Sequence, residues 1–351
     1  MNYVVIKQKL VCAIFIVILL SGCQSANEQQ DEIKIGFIGP LTGDSSHLGQ
    51  NAKAAAEIAE AEINAAGGIN GKKLKIIYED GGCNEKMAVA AANKLFNMDD
   101  VPLIIGSICS RETMSFAPMA EQLQKLVVSY CTSAPALRDA GDFIFRTCPN
   151  AVFQGRFAAN YLVEKGIETV GVIGCNDHWC SGIADAFEEE FPNVVAREDF
   201  EPGATDIRTQ LLRIREKNPD AIYFVARSKS TIVGMKQIQE LGWDIFLFGA
   251  DTWDDASVRG KHPNAEYVVI QADLPEKFVS DMALKGKDTT VCTPQAYDTV
   301  KIVANLLKQT EDPKVMKDLL YKMPAYPGIS GEIAFDSKGD ITEASYSVVS
   351  V

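Results

Sequence analysis

Two apolar runs in the first half of the sequence end in small hydroxyl residues. Ser107-Ile108-Cys109-Ser110 follows Val101 to Ile105, and Cys131-Thr132-Ser133 follows Leu126 to Ser129. Hydroxyls and backbone N–H groups at helix starts bind carboxylates, helped by the positive end of the helix dipole. In the second half the corresponding positions are charged or aromatic: Asn176 to Trp179, then Arg227 and Ser228, then Asp251 and Trp253. Asp251 offers a negative charge to an ammonium, and Trp179 offers a flat lid. A small zwitterion between Ser110, Thr132 and Ser133 on one side and Asp251 on the other would be neutralised from both. The plainer reading stays open, since each serine, threonine or aspartate here is also an ordinary helix cap.

The elements that must hold these residues alternate along the chain. Ile33 to Ile38 is a short apolar run closed by Gly39-Pro40. Ala52, Ala56, Ala59, Ile63 and Ala66 recur at helical spacing until Gly67-Gly68 stops them. Leu74 to Tyr78 predicts a strand, and Asn84 caps a helix carrying Ala88, Ala91, Ala92 and Leu95. A second series starts near Pro149: helix over Val152 to Lys165, strand over Val170 to Ile173, helix around Gly182 to Glu190, and so on to Val268 to Ile270. The pattern predicts an α/β fold of two Rossmann-like, doubly wound lobes with parallel sheets covered on both faces. Ligands in such sheets sit beyond the carboxyl ends of the strands, where the candidate residues fall. Two further helices, about Pro294 to Lys308 and Lys314 to Lys322, precede strand-like Glu332 to Phe335 and Tyr346 to Val349. They suggest a chain that returns to the first lobe and crosses back.

The N-terminus reads as an address. Lys7 and Lys9 precede an uncharged apolar run, Leu10 to Leu20, too short to span a bilayer comfortably. Leu20-Ser21-Gly22-Cys23 resembles the lipobox of bacterial lipoproteins, which implies cleavage before Cys23 and a lipid on that cysteine. The alternatives are an ordinary cleaved signal or an uncleaved anchor. Gln24 to Asp31 reads as a tether, and no later segment is apolar enough to cross a membrane. The formal net charge is −13, and loss of Lys7 and Lys9 makes it two units more negative. Nucleic acid, which needs a basic face, is therefore not an expected partner.

Residues 33–351 resemble the leucine/isoleucine/valine-binding family of type I periplasmic binding proteins. The carrying segments are IKIGFIGPLTGDSSHLG, AEINAAGGINGKKL, YEDGGCNEKMAVAAANKL, LIIGSICSRET, CTSAPAL, FIFRT, GADTWD and AYDTVKIVANLL. The resemblance implies that Ser110 and Ser133 contact the carboxylate and amine of an amino acid, with the Cys131 backbone between them. It places Asp251 at the α-ammonium, Trp179 and Arg227 where members carry covering aromatics, and Leu48 on the first-lobe wall. Arg227 and Leu48 depart from that pattern. Arg227 could recognise an acidic or polar side chain, or form a salt bridge to Asp177 or Asp251. The resemblance further implies a membrane permease driven by a cytoplasmic ATPase as partner, an extracytoplasmic location, no cofactor and no catalysis; a monomer is expected. A sensor presenting its ligand to a receptor, an extracytoplasmic enzyme, and a binder of a non-amino-acid amide or carboxylate are the alternatives.

The expected organisation is 1–22 as leader, 23–31 as tether, 32–147 with 273–328 as the first lobe, and 148–272 with 329–351 as the second. Crossings are placed near Thr147 to Pro149, Ala272 to Pro275 and Pro327 to Ile329. Of nine cysteines, Cys12 leaves with the leader and Cys23 is the lipid site. Cys83 and Cys109 follow adjacent strands, and the resembled family has a bridge there. Cys175 and Cys180, with His178 between, hold metal-ligand types without the usual second pair, so no metal is expected and a local disulfide shaping the Trp179 loop is preferred. Cys131 with Cys148 is the remaining pair considered, leaving Cys292 alone. An enzyme built on Cys180 and His178 is disfavoured, because an oxidising compartment drives thiols to disulfides.

Overall fold

The computed structural model describes residues 32–270 and 272–351. The leader, Cys23 and the tether lie outside the described residues. The chain begins with β1 (Glu32–Gly39), α1 (Ser46–Ala65), β2 (Lys73–Asp80), α2 (Glu85–Asn93), β3 (Leu103–Gly106), α3 (Ser110–Leu123), β4 (Leu126–Ser129) and β5 (Ile144–Arg146). The second series runs α4 (Ala151–Glu164), β6 (Val170–Cys175), α5 (His178–Glu190), β7 (Val194–Phe200), α6 (Arg208–Arg215), β8 (Ala221–Val225), α7 (Ser228–Glu240), β9 (Phe246–Gly249) and β10 (Ala265–Ile270). Then come α8 (Glu276–Leu284), α9 (Thr293–Leu307), α10 (Pro313–Tyr321), β11 (Tyr326–Gly328), β12 (Gly331–Ile333) and β13 (Tyr346–Ser350).

Two sheets organise these elements. The first has the order β2-β1-β3-β4-β5, the second β13-β10-β9-β8-β6-β7. The pairings β1–β3, β3–β4 and β4–β5 are parallel, as are β6–β7, β6–β8, β8–β9 and β9–β10. Strands covered on both faces read as continuous apolar runs, and β3, β4, β6 and β8 are buried along their whole length. The exception is β13, which joins the edge of the second sheet antiparallel to β10, with Val349 opposite Tyr267.

Each sheet has its own core. In the first lobe Ile35, Phe37 and Ile105 pack with Ala56 of α1 and with Ala296, Val300 and Met316 of the later helices. A second cluster around Leu95, Ile104 and Phe116 covers the opposite face. In the second lobe Val172, Phe187, Tyr223, Phe248 and Trp253 share one cluster.

The chain returns to the second lobe later than the sequence suggested. The segment expected to belong there from Ile329 onward stays on the first lobe: β11 and β12 pair only with each other, and Ile333 and Ile341 are buried in the first-lobe core. Buried Arg146 fixes this segment by a two-pronged bond to Asp340, Nε to Oδ1 and Nη2 to Oδ2, both 2.7 Å. Of the described elements after Pro327, β13 alone crosses over to pair with β10. Short strands of mixed polarity carry no signal of which sheet they join, which is why Glu332 to Phe335 was not assignable from sequence. Among the described residues no helix is long and apolar enough to cross a membrane.

Candidate ligand cleft

The strand-tip loops of the two sheets face each other across a narrow cavity. Its first-lobe wall includes Ser45, Leu48, Cys131 and Ser133; its second-lobe wall includes Gln154, Trp179, Arg227 and Asp251. Of the residues singled out from sequence, Leu48, Cys131, Ser133, Trp179, Arg227 and Asp251 therefore come together. Ser110, at the first turn of α3, lies beside the cavity in a groove shared with Arg111, Asp177, Trp179 and Arg227. Its Oγ accepts from the Ala134 amide at 3.3 Å.

Thr132 is not brought to the cavity. It is fully buried; its hydroxyl lies 2.6 Å from that of Thr113 and donates to the Ser107 carbonyl at 3.2 Å. Its amide donates to Ser129 Oγ at 2.9 Å. An alternating chain points neighbouring side chains opposite ways, so Ser133 and Thr132 cannot both face the ligand side. The loop is anchored from behind by Arg146, whose Nη1 donates to the Thr132 and Ala134 carbonyls at 3.1 and 2.8 Å.

On the second lobe, α5 begins earlier than its apolar spacing indicated. Asp177 Oδ1 accepts from the amides of Trp179 and Cys180, both at 3.0 Å, and starts the helix at His178. Trp179 is thus set in a helical first turn instead of a loop, which fixes its ring at the cavity. Asp177 Oδ2 binds Arg227 Nη1 at 2.6 Å and Arg111 Nη2 of the first lobe at 3.4 Å. Burial pushes the Asp177 carboxyl up, but Arg227, the Cys180 amide and Arg111 outweigh it and hold it below its ordinary value. The salt-bridge alternative for Arg227 is the one observed, with Asp177 as partner.

Asp251 opens a short 3-10 turn, Asp251–Trp253, beyond β9. It is 9% exposed, and its Oδ1 has no hydrogen-bond partner among the described residues. Burial raises its carboxyl to about 6, against opposing contributions from the Gln154 side chain and the Thr252 amide.

Among the described residues three disulfides cluster near the cleft. Cys83–Cys109 and Cys175–Cys180 pair as considered from sequence, each with Cα atoms 5.5 Å apart. Cys131 does not pair with Cys148. It pairs with Cys292 at the head of α9, Cα to Cα 5.4 Å, and Cys148 is the free, buried thiol. The partner lies 161 positions away, and only the return of the chain to the first lobe brings it near. Cys175, Asp177 and Cys180 offer clustered ligand atoms, but the two thiols are spent in their own bond.

Polar contacts join the lobes around the cleft mouth: the ion pairs Asp44 with Lys229 at 2.9 Å and Arg111 with Asp177, and His47 Nε2 against Asp255 Oδ2 at 2.7 Å. Gly182 of α5 meets Pro135 of the first lobe so closely that a Cβ there would lie 2.5 Å from Pro135 Cδ.

A family model described as periplasmic binding protein matches residues 32–351. The chain belongs to that family. Periplasmic binding proteins are extracytoplasmic solute binders, not enzymes, and this chain shares their two α/β lobes. Its relatives include the leucine-, isoleucine-, valine-, threonine- and alanine-binding protein of Pseudomonas aeruginosa, 26% identical over 353 residues, covering 95% of this chain and 94% of that protein. A branched-chain amino acid transporter substrate binding protein of Streptococcus pneumoniae, solved with isoleucine, has a TM-score of 0.83 at 24% identity, covering 92% of this chain and 100% of that one. A solute binding protein of R. palustris, solved with 4-hydroxybenzoate, has a TM-score of 0.82 at 20% identity, covering 92% of this chain and 93% of that one.

Sequence reasoning had passed over Gln154, Cys148 and Tyr346, which also line the cavity. Tyr346 arrives on β13, and Gln154 sits one turn inside α4, outside the loops where the strand-tip rule looks. Asn150, whose Oδ1 caps α4 by accepting from the Val152 amide at 3.1 Å, was the available signal that this helix begins at the cleft.

Proposed function

We propose that this protein is the extracytoplasmic, lipid-anchored binding component of an importer driven by ATP hydrolysis, and that it holds a small α-amino acid between its lobes. The observation that carries this reading is the buried Asp251 carboxylate, with one oxygen unpartnered among the described residues, set across a narrow cavity from Ser133 and Cys131. A buried charge without a partner is costly, so a cationic group in the cavity is strongly favoured there. Ser133 stands on the opposite wall with Ser110 beside it, hydroxyls suited to the carboxylate. The lobes contact one ligand together only when shut, so binding favours the closed form. The relatives that bind branched-chain amino acids support the same class of ligand.

The cavity is small, about 40 Å³, where one water needs roughly 10–15 Å³ on the same measure. With Leu48 and Trp179 as walls and Arg227 committed to Asp177, a compact neutral side chain is favoured over an acidic one. The anchor rests on Leu20 to Cys23. Thermal shift followed by calorimetry with the twenty protein amino acids, their 2-hydroxy analogues and a set of benzoates tests the reading. Saturable binding of a small neutral amino acid is expected. Binding of benzoates or other simple acids alone, by analogy with the R. palustris neighbour, would replace it with carboxylate capture, and conversion of the bound compound would mean an enzyme.

A further inference from the structure

Gln154 is 3% exposed, lines the same cavity as Asp251, and its Oε1 has no hydrogen-bond partner among the described residues. Buried side-chain acceptors are nearly always satisfied, so two orphan acceptors on one cavity wall call for a donor from outside the chain. The Gln154 amide also lies against the Asp251 carboxyl and favours its ionised form. With its N–H side turned to Asp251, its oxygen is left for another donor.

We propose that Gln154 is a second contact for the bound molecule's cationic nitrogen, its Oε1 and Asp251 Oδ1 together accepting N–H bonds from one ammonium group. A protonated amine has three N–H donors and no acceptor, which matches two converging acceptors and matches neither a carboxylate nor a hydroxyl alone. The inference rests on the reading that the ligand is an amino acid and adds the residue that distinguishes an amine from its oxygen analogue. A hydroxyl has one hydrogen and can satisfy only one of the two oxygens. The other groups facing Asp251 are Tyr223 of β8, Tyr346 of β13, Cys148 at the crossing and Asp254 beyond the turn. Burial holds the Tyr223, Tyr346 and Cys148 groups in their neutral forms and Asp254 is itself an acid, so none of these supplies a cation to Asp251.

The test uses the mature chain and, as probes, the protein amino acid that most raises its melting temperature and the matching 2-hydroxy acid. Gln154→Leu and Gln154→Met are expected to weaken amino acid binding by about tenfold or more, in line with loss of a hydrogen bond to a charged group. Binding of the 2-hydroxy acid should change by less than about threefold. The loss should persist at pH 8.5, where Asp251 is ionised with or without help from Gln154. Unchanged amino acid affinity, equal loss of both probes, or a loss that vanishes at pH 8.5 would each overturn the proposal; the last would make Gln154 a positioning residue for Asp251. If no amino acid stabilises the wild-type chain, the amino acid reading fails first and this inference with it. Melting without ligand identifies a variant that is misfolded, and the Met variant, close in volume to Gln, supplies the second measurement.

Discussion

Arg227 Nη1 donates to Asp177 Oδ2 at 2.6 Å, and the same guanidinium lies 5.1 Å from the centre of the Trp179 ring. The pair links the caps of two neighbouring helices and holds the indole at the cavity. Arg227→Ala leaves Asp177 with the more distant Arg111. Breaking a largely buried pair costs up to several kcal/mol, and the partial exposure of Arg227 reduces this to about 1–2 kcal/mol. A melting temperature lowered by a few degrees, with no selective loss of acidic ligands in calorimetry, is the expected result. Selective loss of aspartate or glutamate binding would instead make Arg227 a recognition residue.

Affinity for an amine should depend on pH through Asp251. Its carboxyl stands at about 6 because burial disfavours the charge. Below that pH the group holds a proton and cannot pair with an ammonium, so affinity falls by roughly tenfold per pH unit, and binding near pH 6 releases a proton. Calorimetry in buffers of different ionisation enthalpy measures that release. Asp251→Ala should weaken amine binding about tenfold or more, and a pH-independent affinity from 5 to 8 would remove Asp251 from the site.

Closure should be sensitive to a single methyl group at Gly182. Alanine suits a helix better than glycine, by about 1 kcal/mol, yet its Cβ would press on Pro135 across the cleft. Gly182→Ala is expected to keep or raise the melting temperature of the ligand-free chain while weakening ligand binding severalfold. Small-angle scattering should show a more open average shape. Undiminished affinity would mean that the two lobes need not approach this closely.

Glu112 sets a second pH dependence, of stability. It is fully buried, accepts from the Cys83 amide at 2.9 Å and from the Ser107 hydroxyl, and burial raises it to about 7. A carboxyl raised in the folded state favours folding when protonated, and its contribution is lost as pH climbs from about 4.5 through 7. Glu112→Gln, neutral at every pH, should match the wild type in melting at pH 5 and exceed it at pH 8. Equal melting at both would show that the carboxylate is well accommodated when charged.

The cysteine map has a direct chemical check. Burial pushes the Cys148 thiol up to about 12, so alkylating reagents should reach it only after unfolding. Peptide mapping without reduction should then recover Cys131 joined to Cys292. A Cys131–Cys148 peptide would restore the pairing first considered.

The alternation of strands and helices was legible because parallel strands are continuous apolar runs and α1 repeats alanine at helical spacing. The strand-tip rule then led to Ser133, Trp179 and Asp251. It misjudged Thr132, since a rule that selects a loop cannot choose between adjacent side chains facing opposite ways. It missed Gln154 because the cleft also receives a helix side. Cys292 falls on the expected lobe, but lobe membership does not say which cysteine it meets 161 positions away. The late crossing was hidden because the place of the chain after Pro327 is decided by the burial of Ile333, Ile341 and Asp340, not by local pattern.

The edge strand β13 ties folding order to synthesis order. It follows every other described element in chain order, yet it pairs along β10 and brings Tyr346 to the cavity wall. A nascent chain can therefore assemble the first sheet early, but the second sheet keeps an open, sticky border until residues 346–350 emerge from the ribosome. A chain interrupted before Tyr346 would lack a cavity wall residue and leave the β10 edge unpaired, the kind of border that invites self-association.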